Sequence, residues 1–303
     1  MTALSRLIFE QYQTRKTKKQ KSAFIELMKE HFPDITVQEG GFPKCRNLIV
    51  GDVENAKVIL TAHYDTCSRL PFPNLIAPKN ILLTLLYSVL IIVPLIAMIV
   101  LANWIVGMYT NNFIVRYSVS LVLYLAFMLL LLSGPPNKHT ANDNTSGVIV
   151  LCELIGILTA QQKEKVAFVF FDHEETGLLG STLFHKRYKA VMDDKLLINF
   201  DCVSDGNHIM VSANKSARNS YGDQLKAAFL PTEEKSILFT RSERTYYPSD
   251  QIGYKKSVAI AALKRKRFFG FYMNRIHTSR DTQFDKRNIT LLCDSILRFL
   301  KSL

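Results

Sequence analysis

The side chains able to hold a metal or move protons stand where apolar runs stop. TAHYDT ends one run with His63 and Asp65, FVFFDHEE ends another with Glu174 and Glu175, and LLINFD ends a third with Asp201. Asp143, in ANDNTSG, opens a helical stretch, and His277, in IHTSRDT, follows the last apolar run. Two imidazoles with several carboxylates make a mixed nitrogen and oxygen donor set that suits zinc, and a carboxylate shared by two such ions holds them ~3.5 to 4 Å apart. One shared aspartate and two further ligands per ion complete a site of that kind. The HxD spacing has a mechanical reason: residues two apart on a strand share a face, so Asp65 can hold the second ring nitrogen of His63. Adjacent side chains diverge, so one of Glu174 and Glu175 can bind metal while the other faces an attacking water as general base. Taken singly, these features have plainer meanings: an EE pair is a solvated face, Asp143 a helix cap, HxD a surface or core pair. The ordered set is far more specific than any member of it.

Such residues need a sheet whose strand ends converge, which is where α/β proteins place their ligands. Short β-branched segments at Ile35–Glu39, Asn47–Val50 and Lys57–Thr61 read as strands, as do Val166–Phe171, Leu196–Phe200, His208–Ser212 and Ser257–Leu263. Helical periodicity marks Leu4–His31, Ser146–Gln161, Leu178–Met192, Tyr221–Phe229 and Asn288–Leu303. The expected class is α/β, a central mixed and mostly parallel sheet with helices on both faces.

One segment belongs to no such sheet. Between Asn80 and Val115 there is no charged residue, and after Arg116 there is none until Lys138. Spans near Ile81–Leu101 and Phe113–Leu132 are each long enough for a bilayer, with Arg116 placed to reach the headgroups. The alternative is a pair of buried core helices. The expected organisation is therefore a discontinuous catalytic domain, residues 1–74 and 138–303, interrupted by a two-helix transmembrane hairpin at 75–137. Lys79 and Lys138 flank the hairpin on the domain side and its connecting loop is uncharged, which predicts a cytoplasmic catalytic domain.

Composition narrows the classes further. A formal charge of +12 favours anionic surfaces such as lipid headgroups, or a solvated basic face. The basic runs Arg15–Lys21 and Lys264–Arg267 are short and no nucleic-acid motif accompanies them, so no nucleic-acid partner is expected. Lys264–Arg275 (KRKRFFGFYMNR) reads either as a headgroup contact or as an ordinary loop. Five scattered cysteines argue against a disulfide framework and against a cysteine-based zinc site, and the polar first residues carry no export signal.

The segments AHYDT, ANDNTSGV, FFDHEETGLLGS, NFDCVSDG, YPSDQIGYKKSVAI and IHTSRDT together resemble the co-catalytic zinc exopeptidases, which include bacterial leucyl aminopeptidases, glutamate carboxypeptidases and glutaminyl cyclases. The resemblance implies two Zn2+ ions, or other divalent metals in their place, with His63, Asp143 and Asp201 on one and Asp143, Glu175 and His277 on the other. It makes Glu174 the general base, Asp65 the partner of His63, and Tyr246, or Tyr247 in its stead, a stabiliser of the oxyanion. The chain departs from the family at Asp250-Gln251, where Asp-His is common, and at Lys256-Ser257-Val258; the hairpin is a larger departure. The expected activity is removal of N-terminal residues from peptides. Alternatives are a glutaminyl cyclase with a single zinc and an inactive membrane-anchored scaffold, against which stands the complete ligand set.

Overall fold

The computed structural model describes residues 1–303. From the N-terminus, α1 (Ala3–Gln11) and α2 (Lys18–His31) precede β1 (Thr36–Gly40), β2 (Cys45–Val50) and β3 (Val58–His63). The apolar helices α3 (Ile81–Gly107) and α4 (Phe113–Ser133) follow, then α5 (Gly147–Ile157), α6 (Ala160–Lys163), β4 (Val166–Phe171), α7 (Leu179–Met192) and β5 (Leu196–Phe200). The chain closes with β6 (His208–Ala213), α8 (Lys215–Ala228), β7 (Ser236–Arg241), β8 (Ser257–Lys266), β9 (Gly270–Tyr272) and α9 (Lys286–Lys301).

The nine strands form one sheet in the order β1-β2-β4-β3-β5-β8-β6-β7, with β9 beside β8. β4, β3, β5 and β8 run parallel at its centre, while β2 and β6 pair antiparallel on either flank. VAFVFF is wholly buried because both of its faces are covered. Phe168 and Phe170 join a core of 43 residues under α1, α2, α5, α8 and α9, whereas Val169 and Phe171 join a smaller cluster with Phe184 and Met192 of α7. With the donors at the ends of β3, β4 and β5, the parallel centre aims them at one edge.

Several sequence expectations change. The amphipathic stretch Leu4–His31 is two helices, because Thr17 and Gln20 form a capping box that restarts the helix. The run Arg15–Lys21 is not a solvated face at its ends: Arg15 is fully buried and Lys21 nearly so. The edge strand β7 escaped notice because its burial does not alternate, and KRKRFFGFYMNR is no loop but the β8–β9 hairpin, paired Lys264 to Tyr272.

No residue of α3 or α4 is buried, which excludes the reading of core helices. At 1.5 Å per residue their 27 and 21 residues are about 40 and 32 Å long, against a hydrocarbon layer of ~30 Å. The helices pack as an antiparallel pair, with Asn103 donating to the Ser120 hydroxyl at 2.6 Å. At the far turn the Arg116 guanidinium folds over Gly107.

Candidate metal centre

His63 closes β3 and is buried, its Nε2 lying 3.3 Å from Asp143 Oδ1 and 3.5 Å from Asp201 Oδ1. The second oxygen of Asp143 is 2.9 Å from His277 Nε2, which in turn is 3.4 Å from Glu175 Oε2. Asp143 thus stands between two groups of donors, one oxygen toward each. Glu174 lies on the first side, its carboxylate within 4.8 Å of the His63 and Asp201 donor atoms. All five expected ligands and the expected base are brought to one place.

The donor set can be tested against zinc without the ion present. Tetrahedral zinc with bonds of ~2.0 to 2.1 Å requires neighbouring donors about 3.3 Å apart. The four separations of 2.9 to 3.5 Å match that spacing. Glu175 Oε1 and Asp201 Oδ1 are buried without any hydrogen-bond partner, a costly arrangement unless a cation faces them. The residues fit a divalent metal.

The electrostatics agree. Burial and the neighbouring Asp143 push the Glu175 carboxyl up to about 8 against the pull of His277. Burial, with Glu175, Asp250 and Asp201, pushes Glu174 well up, opposed by His63. Burial would lower His277, but Glu175 and Asp143 outweigh it and raise the imidazole to about 10. For Asp143, burial is outweighed by His277 and His63, and the carboxyl sits well below the usual range. So much acid in one buried place is relieved by protons or by metal.

Asp65 does more than the HxD spacing suggested, and by a different route. β3 ends at His63, so Asp65 lies beyond the strand; the hydrogen-bond partner of His63 Nδ1 is the Asp65 carbonyl oxygen at 3.1 Å, with Oδ1 farther at 3.6 Å. The carboxylate instead accepts the main-chain N–H of Glu174 at 3.0 Å and of Glu175 at 3.3 Å, fixing the turn that aims both glutamates.

Other positioning residues went unrecognised in the sequence. Asp281 accepts the N–H of Asn142 at 2.8 Å and of Asp143 at 3.0 Å. Asn142 Oδ1 takes the N–H groups of Ser204 and Asp205, and Asn144 bridges Phe200, Cys202 and Gly147, so the asparagines of ANDNTSG splice the Asp143 loop to the Asp201 loop. Beneath them, Arg15 donates to the Tyr64 carbonyl and to the Thr145 hydroxyl. Lys21 pairs with buried Asp172 at 2.7 Å, at the root of the two glutamates. Asp250, fully buried with both oxygens unpartnered, is pushed up to about 7 by burial against the pull of His63. Both aspartates stand inside the segments IHTSRDT and YPSDQIG that carry the family resemblance, which was the available signal for Asp281 and Asp250. Cys67 also reaches the donors, its sulfur within 4.8 Å of Asp143, Glu175 and His277, although no cysteine spacing marked it.

His173, Leu178, Cys202 and His277 hold left-handed backbone conformations, with φ of 58, 59, 57 and 60°. Three of these are a donor or its immediate neighbour, strain of the sort that gathers at functional sites. Tyr246 is half-exposed and, with Tyr247, Pro248 and Gln251, lines a cavity of about 310 Å³. Tyr247 is buried and donates its hydroxyl to the Asp201 carbonyl at 3.1 Å.

A parallel-centred sheet with imidazoles and carboxylates gathered at its strand ends defines an α/β metallohydrolase. Residues 127–298 match the model of Peptidase family M28, and the chain belongs to that family of zinc-dependent peptidases. Its fold is similar to the Macrostomum lignano glutaminyl cyclase (TM-score 0.58, 12% identity, 99% of this chain and 89% of that one). It is also similar to the Legionella pneumophila LapA aminopeptidase (TM-score 0.57, 12% identity, 99% and 68%). A third likeness is to a Zn-dependent exopeptidase from Parabacteroides distasonis (TM-score 0.56, 14% identity, 98% and 96%).

Proposed function

We propose that the chain is a two-zinc aminopeptidase held to a membrane by α3 and α4. The observation that carries the reading is Asp143, whose two oxygens each approach a different imidazole. His63, Asp143 and Asp201 would hold one ion, and Asp143, Glu175 and His277 the other. When bound, the zinc ions supply Lewis acidity toward a water and toward the scissile carbonyl. Glu174 takes the proton of the attacking water on its carboxylate and delivers it to the departing amine. Asp65 holds Glu174 and Glu175 in register through their main-chain N–H groups. The cavity that Tyr246 lines includes none of the donors, so the oxyanion role assigned to Tyr246 rests on the family resemblance alone, and Tyr247, whose hydroxyl donates to the Asp201 carbonyl, is its alternative.

Glu174→Gln should keep both zinc ions and lose peptidase turnover on aminoacyl and dipeptide substrates. Substantial activity in a metal-replete sample refutes the assignment of the base. One zinc per chain, with cyclisation of N-terminal glutamine, would replace the aminopeptidase reading by the cyclase one.

The membrane reading rests on two apolar helices without a buried residue, reaching mean hydropathies of 2.9 and 2.1 over 18-residue stretches. It divides the chain into a catalytic domain, 1–74 with 138–303, and a hairpin, 75–137, and the lysines at the hairpin's feet favour a cytoplasmic domain. Release of the full chain from membranes by alkaline carbonate would refute it.

A further inference from the structure

The chain leaves the sheet at the end of β3, His63, and comes back beside the strand ends at Asp143, before α5, and the excursion between these residues contains the apolar hairpin. Its feet are fastened to the loops that carry the donors. The Leu70 N–H donates to the carbonyl of His277 itself at 2.8 Å, and Asn137 donates to the carbonyl of Thr278 at 3.0 Å. Ile76, shortly before α3, exchanges both main-chain hydrogen bonds with Met273 at 2.9 Å. On the other leg, the Leu132 carbonyl in the last turn of α4 accepts the Ser68 hydroxyl at 3.0 Å and the Lys16 ammonium at 2.6 Å.

These contacts set a height. The Cys67 sulfur is within 4.8 Å of donor atoms of Asp143, Glu175 and His277. Ser68, one residue and ~3.8 Å further along the backbone, touches α4 directly. Even with every step collinear, the donors stand no more than roughly 17 Å from the end of an apolar helix. The polar headgroup layer is itself about 5 to 8 Å thick. Beside His277, exposed Arg69 and Arg280 rim an open cavity of about 310 Å³ with Phe72 and Thr278, a basic edge suited to lie against headgroups.

Resting on the aminopeptidase and membrane readings, we infer that the substrate class is peptides anchored in the same bilayer, whose free N-termini emerge only a few residues above the headgroups. An extended arm of about five residues spans ~17 Å, enough to bring a terminal amine to the donors without lifting the anchor. A peptidase domain on a long stalk would instead need long arms.

The test uses the full chain with zinc in phosphatidylcholine vesicles containing phosphatidylglycerol. Three substrates share one N-terminal sequence: a soluble peptide, and two carrying a C-terminal transmembrane anchor behind spacers of about five or about twenty residues. The short-spacer peptide should be trimmed at no less than about a third of the long-spacer rate, because the site already lies at its height. A lower ratio, with the soluble peptide still trimmed, overturns the inference and leaves the aminopeptidase reading standing. No trimming of any of the three overturns that reading, and the inference with it.

Discussion

Asp65→Asn separates two ways in which one carboxylate can serve the centre. If Asp65 acted on His63 alone, the change would weaken one zinc position and leave the glutamates in place. The distances favour the other route: Oδ1 and Oδ2 accept the N–H groups of Glu174 and Glu175 at 3.0 and 3.3 Å, whereas the His63 Nδ1 is 3.6 Å away. Asparagine keeps one acceptor and replaces the other with a donor, so one main-chain N–H of the turn loses its partner. An unmade hydrogen bond of this kind costs about 1 to 3 kcal/mol, or roughly 5- to 150-fold in an equilibrium or a rate. Because the turn holds both Glu175, beside His277, and Glu174, the proposed base beside His63 and Asp201, both zinc affinity and kcat should fall. Zinc binding would be followed by competition with a chromophoric chelator, and kcat on an aminoacyl substrate at saturating zinc. Weakening of a single zinc, with kcat at saturating zinc within about twofold of the parent, would refute the assignment.

Further outcomes follow from the charge and packing of the same region. His277 and Glu175 hold protons up to about 10 and about 8 in the metal-free centre. Both folded values lie above the unfolded ones, so their stabilising contribution is present in acid and lost as pH rises through those values. Zinc must displace the same protons, so the Tm difference between zinc-loaded and metal-free protein should widen from about pH 6 to 9; a flat difference by scanning fluorimetry would refute this. In GLLGS, a Cβ at Gly180 would lie 2.1 Å from the Asp172 carbonyl oxygen and 2.5 Å from Asn47 Oδ1. Gly180→Ala should therefore cost about 3 kcal/mol of stability, and an unchanged Tm would contradict that packing.

Much of this architecture could be read in the chain because donors and strands obey short-range rules. The all-apolar VAFVFF and LLINF announce central strands by composition, and the structure places them within the same residues, Val166–Phe171 and Leu196–Phe200. The hairpin was legible because two apolar runs of bilayer length, broken only by Arg116, stand out from a chain that is otherwise rich in charge. What escaped was the scaffolding of the site. Asp281, Asn142 and Asn144 act through main-chain groups up to 139 residues away, contacts that no local pattern encodes. Arg15 sits in a run that composition alone reads as solvated, yet it is buried because the carbonyl of Tyr64 and hydroxyl of Thr145 meet it from distant segments.

The interruption between β3 and α5 also dictates an order of assembly. β4 lies between β2 and β3, and β5 lies on the other side of β3, so every neighbour that β3 needs is synthesised after the hairpin. On the proposed membrane reading, α3 and α4 must enter the bilayer with both ends on one side before His63 can meet the other four residues proposed to hold zinc. A hairpin that failed to cross back would strand the two halves of the sheet in different compartments. On that reading, correct insertion is a precondition for the proposed hydrolysis, and a misrouted copy would be inert.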